Sequence, residues 1–146
     1  MARYATTIAS LLPAAEAFAY MADFSNARFW DPSVRRARRA DSGPVGLGST
    51  FPLVARFAGR DVELTYTIVA FEPNSRVVLE ARRGFVSRDT ITVAAAGTGS
   101  VVSYEALLTF KGPGRLAEPL MQFVFNRVGA KAKAGLEAAL NPPGGG

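Results

Sequence analysis

Alternation between apolar and polar positions fills the middle of this chain, and a helical period takes over only near its end. Residues 3–10 alternate loosely, with Tyr4, Thr6, Ile8 and Ser10 on one side and Ala5, Thr7 and Ala9 on the other. That pattern predicts a first strand. Pro13 suits the first turn of a helix because its missing N–H needs no partner there. Glu16 favours the positive end of that helix, and Ala17, Phe18 and Met21 form its inward stripe. The helix should fade near Asp23. Ser25 is placed to cap a second short helix over 26–30, which Pro32 ends.

Strand-like runs then cover residues 34–110. Val34–Ala40 is basic, and Gly43–Gly48 is a turn-rich loop. Ser49–Phe57 places Phe51, Leu53, Ala55 and Phe57 on one face, and Ala58-Gly59-Arg60 makes a short hairpin connection. Asp61–Phe71 follows, with Val62, Leu64, Tyr66 and Ile68 opposed by Glu63, Thr65 and Thr67. After the Glu72–Ser75 turn, Arg76–Arg83 directs Val77, Leu79 and Ala81 inward. Phe85–Ala95 brings Phe85, Ser87, Asp89, Ile91 and Val93 to one face. Ser100–Phe110 does the same for Val102, Tyr104, Ala106, Leu108 and Phe110. Lys111-Gly112-Pro113-Gly114 breaks the sheet.

Arg115–Leu140 reads as a helix of about seven turns. Its expected inward stripe is Leu116, Leu120, Phe123, Val124, Arg127 and Val128, with Gly129 and Gly135 lowering helical propensity without stopping it. Asn141-Pro142-Pro143 stops the helix. The expected organisation is one domain over 1–141 with a flexible tail at 142–146. The class is α+β: a curved antiparallel sheet of about seven strands wraps a long C-terminal helix, with two short helices after the first strand. Such a wrap leaves room for a cavity between helix and sheet.

Composition narrows the chemistry. The 146 residues are 49% hydrophobic and 20% charged, which suits a soluble globular protein. No apolar run is long enough for an integral membrane segment, and the N-terminus lacks the apolar core of a signal peptide, so a cytoplasmic location is expected. The chain has neither cysteine nor histidine. Thiolate and imidazole metal sites, histidine bases and Ser-His or Cys-His pairs are thereby excluded. No metal and no cofactor is expected. The net charge is +5, and 14 of the 17 basic residues are arginine, a bias read mostly as genomic composition.

Several groups invite functional readings. Trp30, in Trp30-Asp31-Pro32, either lines the pocket mouth or anchors the second helix, with Asp31 as a local cap or turn former. Asp89 shares a face with Phe85, Ile91 and Val93, and a carboxylate there must be paired, hydrogen-bonded or protonated. With Tyr66, Tyr104 and Arg83 it forms either a polar patch that orients a ligand or a structural network. A bulge that turns Asp89 to solvent is a further alternative. Arg35-Arg36-Ala37-Arg38-Arg39 carries charge but alternates across a strand and lacks interleaved aromatics, so no nucleic-acid partner is expected. A charge-protected edge strand is the preferred reading. Arg127 stands either at the cavity rim or against an acidic ligand group. Gly43–Gly48 lacks a following Lys-Ser/Thr and a surrounding βαβ unit, so it is no phosphate cradle.

Several segments together resemble the helix-grip superfamily, the SRPBCC group of START lipid-transfer domains, polyketide cyclases and dehydrases, birch-pollen allergens and coenzyme-Q-binding proteins. They are Leu12–Phe18, Asp23-Phe24-Ser25-Asn26 leading to Trp30-Asp31-Pro32, Gly46–Phe51, and Leu64–Ile68 with Phe71-Glu72-Pro73. The likeness runs to about residue 140 and is closest to the small bacterial polyketide-cyclase-like branch. It implies a helix-grip fold, and in that fold the Gly43–Gly48 loop covers a cavity entrance.

Three functions fit this reading. The first is binding or transport of an apolar small molecule (lipid, polyketide or isoprenoid) by a monomer or homodimer. Its pocket would be lined by Trp30, Phe51, Leu53, Phe57, Leu64, Tyr66 and Ile68, continuing through Phe85, Asp89, Tyr104, Leu120, Phe123, Val124 and Arg127. The second is a polyketide cyclase, aromatase or dehydratase with Asp89 as base and Tyr66 or Tyr104 as acid, aided by Arg83. The third is a regulatory or toxin-like interaction module. The missing histidines favour holding over converting.

Overall fold

The computed structural model describes residues 1–57 and 59–142. Seven strands form one antiparallel sheet: β1 (Ala2–Ser10), β2 (Val34–Ala37), β3 (Thr50–Phe57), β4 (Arg60–Glu72), β5 (Arg76–Arg82), β6 (Phe85–Ala96) and β7 (Gly99–Phe110). Their order is β1-β7-β6-β5-β4-β3-β2. Strands β2 to β7 therefore form a meander, and β1 closes it by pairing with β7. The helices α1 (Ala14–Ala22) and α2 (Ala27–Trp30), joined by a 3-10 turn at Phe24–Asn26, carry the chain from one sheet edge to the other. The helix α3 (Glu118–Leu140) follows β7 and lies in the hollow of the curved sheet. This is the helix-grip arrangement.

Local differences from the sequence expectation have simple causes. Asp23, rather than Ser25, caps the turn before α2: its carboxylate accepts from the Ser25 amide at 3.2 Å and the Ser25 hydroxyl at 2.5 Å. The last helix opens with a 3-10 segment, Gly112–Ala117, before Pro119 in the first turn of α3 sets the α conformation. Strand β2 is shorter than expected, and its register shifts between Val34 and Arg36. A second shift, between Ile68 and Ala70 opposite β5, adds to the bending of the sheet. Ala58 of the expected hairpin connection and 143–146 of the expected tail lie outside the described residues.

The inward stripe of α3 is Met121, Phe125, Gly129, Ala132, Leu136 and Leu140, at spacings of four, four, three, four and four residues. The expected stripe was rotated from this one. Leu116, Leu120 and Phe123 point to solvent, at 86%, 54% and 56% exposure. Small residues explain the phase. Gly129 lies against the Tyr4 ring, where a Cβ would fall 2.6 Å from a ring carbon, and Gly135 lies against the backbone carbonyl of Trp30. A helix seated this closely must present glycines, so the stripe that counts is partly invisible to a hydrophobicity pattern.

Side-chain hydrogen bonds hold α3 along β1. The Gln122 amide pairs with both backbone groups of Arg3, at 2.8 and 2.9 Å. The Tyr4 hydroxyl donates to the Gly129 carbonyl at 2.8 Å. At the far end the Ser10 hydroxyl donates to the Leu140 carbonyl at 2.7 Å, and Asn141 bonds Ala9 and Leu11. Glu118 takes the Met1 ammonium and the Phe110 amide. The anchors thus run down one flank of the helix, and its other flank faces β3 across the hollow.

Candidate functional site

A cavity of about 60 Å³ lies between α3 and the inner face of the sheet. Its apolar wall includes Leu53 and Ala55 of β3, Ala106 and Leu108 of β7, and Val124 and Val128 of α3. Aromatic rings close one side. Trp30 meets Tyr104 edge-to-face at 5.1 Å, and Phe24 bridges Trp30 at 6.1 Å and Tyr66 at 5.0 Å. Trp30 is 2% exposed; its ring is on the cavity wall, and its carbonyl lies against Gly135 of α3.

The polar groups arise from strand alternation. Ser87 and Asp89 stand two residues apart on β6 and share its inner face. Asp89 is 3% exposed and opposes Leu79 of β5 and Ala106 of β7. The Tyr104 hydroxyl donates to Asp89 Oδ2 at 2.5 Å. The hydroxyls of Tyr66 and Ser87 are bonded to each other at 2.6 Å. Asp31, just after α2, also lines the cavity. One of its oxygens accepts from the Ser33 amide at 2.9 Å and the Ser33 hydroxyl at 2.7 Å, so it is both a turn former and a cavity group.

Burial sets the electrostatics. It pushes the Asp89 carboxyl up to about 7, with the Tyr104 hydrogen bond opposing and the negative charge of Asp31 adding to the rise. Asp31 is also raised, by desolvation that its Ser33 bonds counter. Burial, then the charge of Asp89, carries the Tyr66 and Tyr104 phenols well above their ordinary value, so both remain protonated donors at neutral pH. Asp89 can therefore hold or release a proton near neutrality, next to a phenol that answers either state.

Of the residues expected at the site, Trp30, Leu53, Tyr66, Asp89, Tyr104 and Val124 line the cavity. Phe51, Leu64 and Ile68 are buried in the core but do not reach it. Phe85 is half-buried against Phe110, with ring centroids 5.4 Å apart. The Phe57 side chain lies outside the described part of the structure. Four placements are corrected. Leu120, Phe123 and Arg127 are exposed because α3 is rotated, and the Arg127 guanidinium covers the Phe123 ring at 5.7 Å. Arg83 is exposed because β5 ends at Arg82 and Gly84, at φ 69°, turns the chain away. Among the described residues no arginine or lysine lines the cavity.

Lining residues outside the expected set include Tyr4, Phe24, Asp31, Ser33, Phe125 and Ala132. Phase alone could have found Phe125 and Ala132, four and three residues either side of Gly129. Nothing local pointed to Phe24 or Asp31, which reach the cavity through the packing of α2.

A second concavity, an open groove of about 720 Å³, lies at the β2 edge. Arg28, Arg35, Arg36 and Arg38 border it, together with Glu63. The expected alternation keeps Arg36 and Arg38 on one side of β2, and the register shift brings Arg35 into the same border. The basic surface is therefore more continuous than alternation alone implies, but it encloses no buried polar group. Among the described residues no helix is long and apolar enough to cross a membrane.

Known structures share this fold. TTHA0849 from Thermus thermophilus superposes with a TM-score of 0.75 at 15% identity, covering 94% of this chain and 96% of that one. A START superfamily protein from Mycobacterium smegmatis gives 0.73 at 13% identity, with the same coverage of 94% and 96%. The Zhui aromatase/cyclase from Streptomyces sp. R1128 gives 0.68 at 13% identity over 99% of this chain and 98% of that one. No curated protein matches the chain in sequence. The family model described as polyketide cyclase / dehydrase and lipid transport matches residues 1–141. With its grip fold and its cavity beneath the last helix, the chain belongs to the polyketide cyclase/dehydrase and lipid-transport family.

Proposed function

We propose that the protein binds a small, mainly apolar molecule between the sheet and α3. The Asp89–Tyr104 and Tyr66–Ser87 pairs would orient a polar group of that molecule. The observation that carries this reading is the placement of a buried, hydrogen-bonded carboxylate on the wall of an otherwise apolar and aromatic cavity. A purely structural core gains nothing from such a group, because desolvating it costs more than an apolar residue of the same size. The START-like and aromatase/cyclase neighbours support a ligand-holding use of the fold.

Size constrains the mechanism. Ligand pockets usually span about 300–1,000 Å³, and 60 Å³ holds the volume of about two waters. A lipid or polyketide therefore needs α3 to roll outward. Native mass spectrometry of the protein as purified tests the reading. A bound apolar species that is lost in Ala132→Leu, whose larger side chain takes up the cavity, is the expected result. A spectrum of bare protein that stays bare after exposure to lipid and polyketide extracts refutes it.

A second reading, cyclisation or dehydration of a polyketide, draws on one observation. Asp89 titrates near neutrality beside a phenolic donor, which suits a general base. The departure of Arg83 and Arg127 from the cavity removes the cations that would stabilise an enolate. Turnover of a polyketide surrogate that disappears in Asp89→Asn is what this reading requires.

A further inference from the structure

We propose that the cavity selects an organic cation: a ligand whose amine or quaternary ammonium group sits against Asp31 and Asp89 beside the Trp30 and Tyr104 rings, with its apolar part along β3 and α3. This inference rests on the reading of the cavity as a ligand site and adds the chemical class of its occupant.

The first observation is the sign of the charge inside. Seventeen basic against twelve acidic residues give the chain a net charge of +5, yet among the described residues the groups with formal charge on the cavity wall are Asp31 and Asp89. Arg88, next to Asp89 on β6, is exposed and bonds Glu80 on the outer face, and Arg83 in the β5–β6 turn is exposed as well. Asp89 is met by a phenol and Asp31 by a serine, so each carboxylate has hydrogen-bond donors, and among the described residues neither has a counter-ion. The second observation is independent of charge. The rings of Phe24, Trp30, Tyr66 and Tyr104 form one contiguous aromatic wall. An ammonium over the face of such a ring, within about 6 Å of its centroid, is attracted by the ring quadrupole, quaternary ones included.

The ranking of ligands follows from what each would do to the carboxylates. A neutral apolar ligand leaves both of them more poorly solvated. An acidic ligand adds a third negative group to the same enclosure. A cation offsets the desolvation it causes, because it arrives as the missing counter-ion. An amine should therefore bind better than the isosteric alcohol, and the alcohol better than the acid. The structure also implies a pH signature. The titratable groups facing Asp89 are Asp31 after α2 and the phenols Tyr4, Tyr66 and Tyr104 on β1, β4 and β7; α3 contributes Val124, Phe125 and Val128 and no charged group. Since Asp89 titrates near 7, amine affinity should rise between pH 5.5 and 8, while alcohol affinity stays flat.

Trp30 is the single tryptophan of the chain and lines the cavity, so its emission reports occupancy directly. The test titrates the full chain at pH 8 with 2-phenylethylamine, 2-phenylethanol and 3-phenylpropanoate. The amine is expected to bind about tenfold or more tightly than the alcohol, with the carboxylate weakest. In the double variant Asp31→Asn/Asp89→Asn the preference should shrink to about twofold while the alcohol still binds. The wild-type pH series separates the same alternatives without a variant. Equal binding of alcohol and amine, or a preference unchanged in the double variant or across pH, overturns the cation proposal and leaves the cavity reading standing. Failure of all three probes to alter Trp30 overturns both.

Discussion

Asp89→Asn is expected to raise the unfolding free energy at pH 8 by up to about 4 kcal/mol, and to change it little at pH 4. The sign follows from a carboxyl whose folded value, about 7, lies above its ordinary 3.8. Below 3.8 the group is protonated whether the chain is folded or not. Between 3.8 and 7 the unfolded chain releases the proton and the folded chain keeps it, so stability declines as pH rises. Above 7 the full cost of a buried carboxylate is present and the curve levels. Asparagine removes this cost and still offers Tyr104 an acceptor. Urea denaturation at pH 4 and pH 8 measures both ends of the window. A variant with the wild-type pH slope, or one less stable at pH 8, would show that Asp89 is not a buried titrating group. The same result bears on function, because the ionised carboxylate that the fold tolerates at a cost is the one proposed to hold a ligand.

Gly135→Ala is expected to destabilise the protein by roughly 2 kcal/mol or more, although alanine favours a helix interior over glycine by about 1 kcal/mol. Position 135 decides the contest by what it touches. A Cβ there would overlap the Trp30 carbonyl oxygen and stand 3.0 Å from the carbonyl carbon. These are backbone atoms, so no rotamer change relieves the overlap. Either α3 lifts from α2 or Trp30 is pushed into the cavity. Thermal unfolding should show a lower Tm, and the Trp30 emission should shift red as its burial is lost. A Tm equal to or above wild type would mean that the helix does not seat on α2 as closely as described. The contact also explains how the cavity gets its aromatic wall, since Gly135 lets α3 clamp the segment that carries Trp30.

Much of this fold was legible because β-strands announce themselves twice, by alternation and by turn chemistry. The inward faces of β3 to β7 follow the alternation, and the placement of Asp89 among Ile91, Val93 and Tyr104 came from period two alone. The last helix was legible in extent and not in phase. Its amphipathic pattern holds two overlapping stripes, and the one with larger side chains, Leu116, Leu120 and Phe123, faces water. The buried stripe uses Gly129 and Ala132, whose value is close approach rather than hydrophobicity. Arg83 was misplaced because one glycine ended the strand earlier than alternation suggested. Asp31 was read as a turn former, which it is. Its place on the cavity wall depends on how α2 docks, and that is a tertiary outcome no local pattern encodes.

On the proposed reading, the space beneath α3 is where this protein holds a small molecule. Its most direct test is a titration of the 15N-labelled protein with 2-phenylethanol, followed in amide and indole correlation spectra. The Trp30 indole and the amides of Tyr66, Ser87, Asp89, Tyr104 and 124–132 are expected to shift together along a single saturation curve. Shifts confined to Arg36, Arg38, Val54 and Glu63 at the outer groove, or spectra unchanged at saturating probe, would contradict it.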